Sequence, residues 1–265
     1  MHILDAIILG IIQGVTEFLP ISSSGHLIIA RDILGWHGTN DLSFDAVLQL
    51  ATALAIIFFF WKDIWKLIKT FFMMILRKPV EKKDSVMIFA IIIGTIPAII
   101  GGLFLESKME SVFRNASLVA VILIIGSLVM YYAEKLAKKD SDLSIKKGFY
   151  IGLFQCLALV PGFSRSGATI SGGLFCGLNR EEAARFSFLL SIPIILGSGI
   201  KKLADIILTS GATGISYMEL IVGSLTAFAV GLFIIGFLIK YLKNHSLNVF
   251  IWYRLFLAAI ILIFL

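Results

Sequence analysis

The chain has 265 residues, of which 58% are hydrophobic and 15% charged, against about 25% charged in an ordinary soluble domain. That balance excludes a soluble enzyme with a normal polar surface and excludes disorder; it calls for a bundle of membrane-spanning segments. The formal charge of +6 is accounted for by basic cytoplasmic loops, so no nucleic-acid partner is expected, and Cys156 and Cys176 offer neither a disulfide framework nor metal-ligand spacing.

In chain order, the first apolar region, 3–34, does not read as a simple span. A run from Ile3 to about Phe18 meets Pro20, which disfavours helix at Leu19. The polar break Ile21-Ser22-Ser23-Ser24-Gly25-His26 follows, then a second run from Leu27 to Leu34. Neither piece is long enough to cross a core of about 30 Å, so a re-entrant helix hairpin is expected. Its non-helical backbone must be buried in protein or line a wet cavity. The run lacks a basic leader and is interrupted by Gln13 and Glu17, so it is not expected to be a cleaved signal peptide. Spans are predicted at 42–60, 86–105 and 118–134. Phe71-Phe72-Met73-Met74, between Lys69 and Arg77, suggests an interfacial amphipathic helix. Region 148–178 repeats the hairpin pattern: an apolar run to Val160, the break Pro161-Gly162-Phe163-Ser164-Arg165-Ser166-Gly167, and a short run from about Thr169. Spans at 186–200, 219–239 and 249–265 complete the chain, the first of these continuing towards Leu208.

The two hairpin regions correspond at an offset of 142 residues. Gly10-Ile11-Ile12-Gln13 matches Gly152-Leu153-Phe154-Gln155, and Ile21-Ser22-Ser23-Ser24-Gly25 matches Phe163-Ser164-Arg165-Ser166-Gly167. Further on, at an offset of 129, Gly94 matches Gly223. The expected architecture is all-α: one polytopic membrane domain of about six transmembrane helices and two re-entrant hairpins. It is divided into repeats at about 1–136 and 145–265. Three spans per repeat make the repeats inverted. Loops 61–85, 134–147 and 240–248 hold fourteen basic residues, against five on the other face (Arg31, Lys108, Arg114, Lys201, Lys202). The positive-inside rule then puts both termini outside, with Trp252-Tyr253-Arg254 at the cytoplasmic interface. Gly101-Gly102 and Gly223 would permit close helix packing, within a protomer or in a homodimer.

Charge inside apolar segments is costly and tends to be functional. Glu17, His26 and Arg165 stand at the two breaks, and Gln13 shares a helix face with Glu17. Each break also leads into a half-helix, whose N-terminal amides and dipole suit a phosphate. The ordinary reading of serines in such a place is an N-cap. Two such ends with an arginine and several hydroxyls instead describe a phosphate or diphosphate site, to which Glu17 and His26 add proton transfer or metal ligation. Arg180, Arg185 and Arg31 read as boundary residues without chemistry.

Gln13-Gly14-Val15-Thr16-Glu17-Phe18-Leu19-Pro20-Ile21-Ser22-Ser23-Ser24-Gly25-His26 resembles the first signature of the bacterial undecaprenyl-diphosphate phosphatases, the bacitracin-resistance family. Pro161-Gly162-Phe163-Ser164-Arg165-Ser166-Gly167-Ala168-Thr169 resembles the second. The resemblance implies a multi-pass enzyme of the bacterial cell membrane. It would remove the terminal phosphate of undecaprenyl diphosphate, recycle the carrier for peptidoglycan, and confer bacitracin resistance. Its site would face the outer side. By resemblance Ser23 is the nucleophile, with Glu17, His26 and Arg165 also catalytic. Ser22, Ser24, Gly25, Ser164, Arg165, Ser166 and Thr169 bind phosphate, and Gln13 and Gln155 support. A divalent cation, Mg2+ or Ca2+, is implied, with Glu17 as its ligand. The family carries Glu or Gln at position 13, and Gln13 cannot act as an acid, a base or a charged ligand. Ser24 stands where the family often has Thr.

In the scheme this suggests, Arg165 and the loop amides hold the phosphoryl oxygens while Ser23 attacks and Glu17 or His26 takes its proton; His26 as nucleophile is the alternative. A transporter or flippase for a phosphate-bearing lipid is the rival of another class. The acid-phosphatase-like membrane phosphatases share only a superficial Ser-Gly-His. They also require an upstream basic motif and a His after Ser-Arg-x5, where this chain has Ser171.

Overall fold

The computed structural model describes residues 2–36, 41–111, 116–137, 141–208 and 216–264. Arg114, Lys138 and Lys139, counted above among the loop charges, lie outside these, as does the side chain of Lys108.

Among the described residues every regular element is helical. The helices are α1 (Ile3–Thr16), α2 (Ser23–Leu34), α3 (Asp41–Phe59), α4 (Trp61–Ile75), α5 (Lys82–Ser111), α6 (Ala116–Leu136), α7 (Ile145–Leu157), α8 (Arg165–Phe175), α9 (Arg180–Leu208), α10 (Tyr217–Asn244) and α11 (Asn248–Phe264). Four, α5, α6, α9 and α10, are long and apolar enough to cross a membrane, and a bent α3–α4 pair would make five. The chain is a multi-pass membrane protein. At 17 residues α11 is shorter than those spans, of which the shortest has 21. The chain bends by 80° between α3 and α4, and α4 leaves Trp61, Trp65, Phe72 and Ile75 exposed with only Thr70 buried. That is the form of an amphipathic surface helix.

Both hairpins form, with boundaries that differ from expectation. The second helix of each starts earlier than the apolar pattern suggests, at Ser23 rather than Leu27 and at Arg165 rather than near Thr169. The cause is local. Ser22 and Ser164 are the N-caps, each accepting from the amide three residues on, so the polar residues after them become the first helical turn.

Packing pairs the hairpins crosswise. α1 packs chiefly on α10, and α7 chiefly on α5. Gly10 lies against the Gly223 carbonyl, where a Cβ would approach to 2.6 Å; Gly152 lies against the Gly94 carbonyl. The glycines matched at offsets 142 and 129 are thus the crossing points, where no side chain fits. Gly223 and Gly101 are used inside the chain, Gly101 beneath Leu159. α3 packs on α9, and α6 on α11. The break residues Phe18 and Ile21 join α8 and α9 in the largest apolar cluster, where Phe18 meets Phe188 edge-on at 5.6 Å.

Candidate active site

Glu17 follows the last turn of α1 and is 6% exposed. Three groups converge on its carboxylate. Gln13, one turn earlier, donates from Nε2 to Oε2 at 2.9 Å; Ser23 donates its hydroxyl to the same oxygen at 2.6 Å; Arg165 donates from Nη2 to Oε1 at 2.8 Å. The last bond joins residues 148 apart in sequence and links the two breaks. Arg165 Nη1 is buried and has no hydrogen-bond partner among the described residues. A buried guanidinium N–H is costly to leave unmade, and a phosphoryl oxygen is its natural acceptor.

His26 lies one turn into α2. Its Nδ1 is 2.7 Å from the Ser22 carbonyl oxygen and its Nε2 is 2.8 Å from Tyr253 Oη. His26 is not bonded to Ser23; the carboxylate that touches Ser23 is Glu17.

The remaining residues expected to bind phosphate divide. Gly25 and Gly167 donate their amides to Ser22 Oγ and Ser164 Oγ, at 3.3 and 3.1 Å. Ser22 and Ser164 are therefore occupied as caps, and the open amides of each helix end are those of its first two residues, Ser23 and Ser24, Arg165 and Ser166. Ser24 Oγ is 3.4 Å from Ser22 Oγ. Ser166 donates to the Leu19 carbonyl and contacts Ser164, which ties the second break to the first. Thr169 is fully buried; it donates to the Arg165 carbonyl and pairs with Ser187. The hydroxyls of Ser166 and Thr169 are thus used in bracing the loop. Gln155 is 3% exposed, and neither end of its amide has a partner among the described residues. Its counterpart Gln13 has Glu17 four residues on, whereas Gln155 has Leu159. The missing carboxylate accounts for the orphaned amide, and Gln155 is not brought to Glu17.

Sequence reasoning missed Arg254, set aside as an interfacial residue. It is fully buried and donates to the carbonyls of Pro20, Gly162, Phe163 and Leu123 and to Ser127 Oγ. Pro20 belongs to the first break, Gly162 and Phe163 to the second. One guanidinium fork thus satisfies the exposed backbone of both. Tyr253 was likewise read as belt aromatic and instead meets His26. The signal was present: an arginine amid apolar residues needs acceptors, and non-helical breaks supply them. Arg180, Arg185 and Arg31 pair away from the site with Glu134, Asp63 and Asp45.

The donor set does not fit a resident cation. Among the described residues no three His, Cys, Asp or Glu side chains cluster in a way that would hold a metal. Both Glu17 oxygens are already engaged, one of them by a cation.

The family model described as bacitracin resistance protein BacA matches residues 6–260. The chain belongs to the BacA family. Relatives named undecaprenyl-diphosphatase match over almost their whole length. One from Corynebacterium glutamicum is 44% identical over 264 residues, covering 98% of this chain and 90% of the relative. One from Renibacterium salmoninarum is 41% identical, covering 100% and 96%. One from Chloroherpeton thalassium is 42% identical, covering 99% and 96%.

Proposed function

We infer that the chain is an undecaprenyl-diphosphatase, a membrane hydrolase that converts undecaprenyl diphosphate to undecaprenyl phosphate and inorganic phosphate, recycling the lipid carrier for cell-wall synthesis. The observation that carries this reading is the junction of Ser23, Glu17 and Arg165: a hydroxyl on a carboxylate, beside a guanidinium with a buried N–H still to fill. Arg165 and the open amides of the two helix ends hold the terminal phosphoryl group and stabilise charge on its oxygens in the transition state. Ser23 Oγ attacks that phosphorus as Glu17 takes its proton, and undecaprenyl phosphate leaves. Water then attacks the phosphoserine, its proton passing to His26; the P–Oγ bond breaks as Glu17 returns its proton to Ser23 Oγ, and phosphate departs. Ser23 is favoured as nucleophile over His26 because Ser23 already faces a base, whereas both His26 nitrogens are engaged elsewhere.

The wider architecture in this reading is six spans and two re-entrant hairpins in two inverted repeats, about 1–136 and 145–265. The crosswise glycine contacts support it. The fourteen-to-five division of loop charge supports both termini outside the plasma membrane and a site reached from the outer leaflet. The divalent cation of this reading is an ion carried in on the diphosphate.

The test is purified protein in detergent with undecaprenyl diphosphate, read as inorganic phosphate release, followed by acid quench and mass spectrometry of the labelled residue. Release of phosphate with a phosphoserine at Ser23 is expected. A phosphohistidine at His26 would overturn the serine scheme, and binding without phosphate release would point to a carrier.

A further inference from the structure

His26 is held by two contacts that fix which nitrogen does what. Nδ1 lies 2.7 Å from the Ser22 carbonyl oxygen, an atom that only accepts. Nδ1 therefore carries a proton, and in the neutral imidazole the lone pair is on Nε2. That nitrogen is 2.8 Å from Tyr253 Oη, so the phenol donates to it. The two rings lie within 6° of parallel, centroids 5.7 Å apart. Tyr253 is not held there by burial, since it is 42% exposed. It is delivered by its neighbour, because Arg254 pins this turn of α11 to both breaks.

We propose that Tyr253 carries the proton between the attacking water and His26. The Ser22 carbonyl fixes the Nδ1–H tautomer, and the Tyr253 hydroxyl holds Nε2 against a group that both donates and accepts. Nε2 has one lone pair, and the phenol occupies it. The proton of the water that attacks the phosphoserine therefore passes to the phenol oxygen as the phenol's own proton passes to Nε2. One water O–H and one phenol O–H bond break, one O–H and one N–H bond form, and the phenol oxygen accepts from the new N–H. The imidazolium then keeps both its hydrogen bonds, to Ser22 and to Tyr253. A phenylalanine would preserve the ring contact and lose this exchange. The proposal rests on the reading of His26 as the proton-carrying residue.

The experiment uses the full-length protein in detergent with undecaprenyl diphosphate. Tyr253→Phe is expected to lower kcat about tenfold, the worth of roughly one hydrogen bond, with KM little changed and the unfolding midpoint unmoved. In a His26→Gln background the same change should cost nothing further, because its effect passes through His26. Nitrogen-15 spectra of histidine-labelled protein, with His26 assigned as the signal lost in His26→Gln, should show a hydrogen-bonded Nε2 that shifts to the free-imine position in Tyr253→Phe. If His26→Gln is impaired while Tyr253→Phe turns over like wild type, the proposal is overturned whatever the spectrum. The same holds if Tyr253→Phe costs as much in the His26→Gln background as alone. If His26→Gln itself keeps wild-type turnover, it is the reading of His26 that fails. The spectrum then decides for Tyr253 alone: a shifted Nε2 supports its hold on that nitrogen, and an unshifted one removes it.

Discussion

At the first break Ser22 stands at φ 75° and its hydroxyl accepts from the Gly25 amide; at the second, Ser164 stands at φ 75° and accepts from the Gly167 amide. In each, the serine two residues later lies beside the cap, Ser24 at 3.4 Å and Ser166 at 3.1 Å. The chemistry diverges on this shared frame. Positions matching Glu17, Ser23 and His26 hold Leu159, Arg165 and Ala168. The first break carries the carboxylate, hydroxyl and imidazole; the second carries the cation. Retained backbone and divided side chains make one site from two similar loops. Two copies of the first loop would bring two carboxylates together, which repels a diphosphate. Two copies of the second would leave the arginines without a counter-ion until substrate came.

If the division is real, severing the bond between the breaks has the largest effect. Glu17→Gln removes the charge on which Ser23 and Arg165 converge and should lower turnover about 10³-fold, within the span usual for a lost general base. Arg165→Ala should lower it about 10²- to 10³-fold, and Arg165→Lys should recover only part, because one ammonium cannot hold Glu17 and a phosphoryl oxygen in the fork geometry. Since the two act together, the double variant should be little worse than Glu17→Gln alone. Phosphate-release kinetics on the purified variants measure all four. Losses that multiply would mean the breaks work independently, and the comparison would fail.

Much of the two breaks was legible in the sequence. A proline, a serine run and a glycine inside apolar segments announce both a chain break and a helix end, and an intramembrane Glu, His and Arg announce function. The joining of Glu17 to Arg165 was not legible, because pairing across 148 residues depends on tertiary approach. The bracing bonds of Thr169 and Ser166 were not legible for a related reason. A hydroxyl near a phosphate site is also a hydroxyl near exposed carbonyls, and only the fold decides which it serves. The start of α2 at Ser23 was missed because apolar periodicity is silent over a polar first turn. Arg254 was misassigned because it follows Trp252 and Tyr253 near the start of a predicted span, the pattern of an interfacial anchor, while its acceptors come from three other segments.

Arg254 also tests whether the breaks depend on each other. Replacing it with Met fills part of the volume and leaves four carbonyls and a hydroxyl without their donor. The expected cost is about 3–5 kcal/mol, seen as a lowered unfolding midpoint in micelles, with activity falling in step. Arg254→Lys should lie between, since an ammonium has three donors and reaches fewer acceptors. Activity lost at unchanged stability would show that Arg254 acts through its charge on the substrate rather than through the loops.

The smallest effects should be the most alike. At Ser22 and Ser164 two terms oppose each other when glycine is introduced. Losing the cap in favour of glycine costs a few tenths of a kcal/mol, while relieving a non-glycine residue at φ 75° returns about 1 kcal/mol. Ser22→Gly and Ser164→Gly should therefore leave stability level or slightly raised, by the same amount in both. Ser→Ala at either position keeps the backbone strain and loses the cap, and should cost about 1 kcal/mol. Denaturant unfolding of the four variants checks the signs. Equal responses would mean that the two loops are one structural device used twice. If Ser22→Gly is stable but inactive while Ser164→Gly is stable and active, the first cap also serves the chemistry. The natural route is through the Ser22 carbonyl, which fixes the Nδ1 proton of His26 and would shift with any change in the turn beneath it.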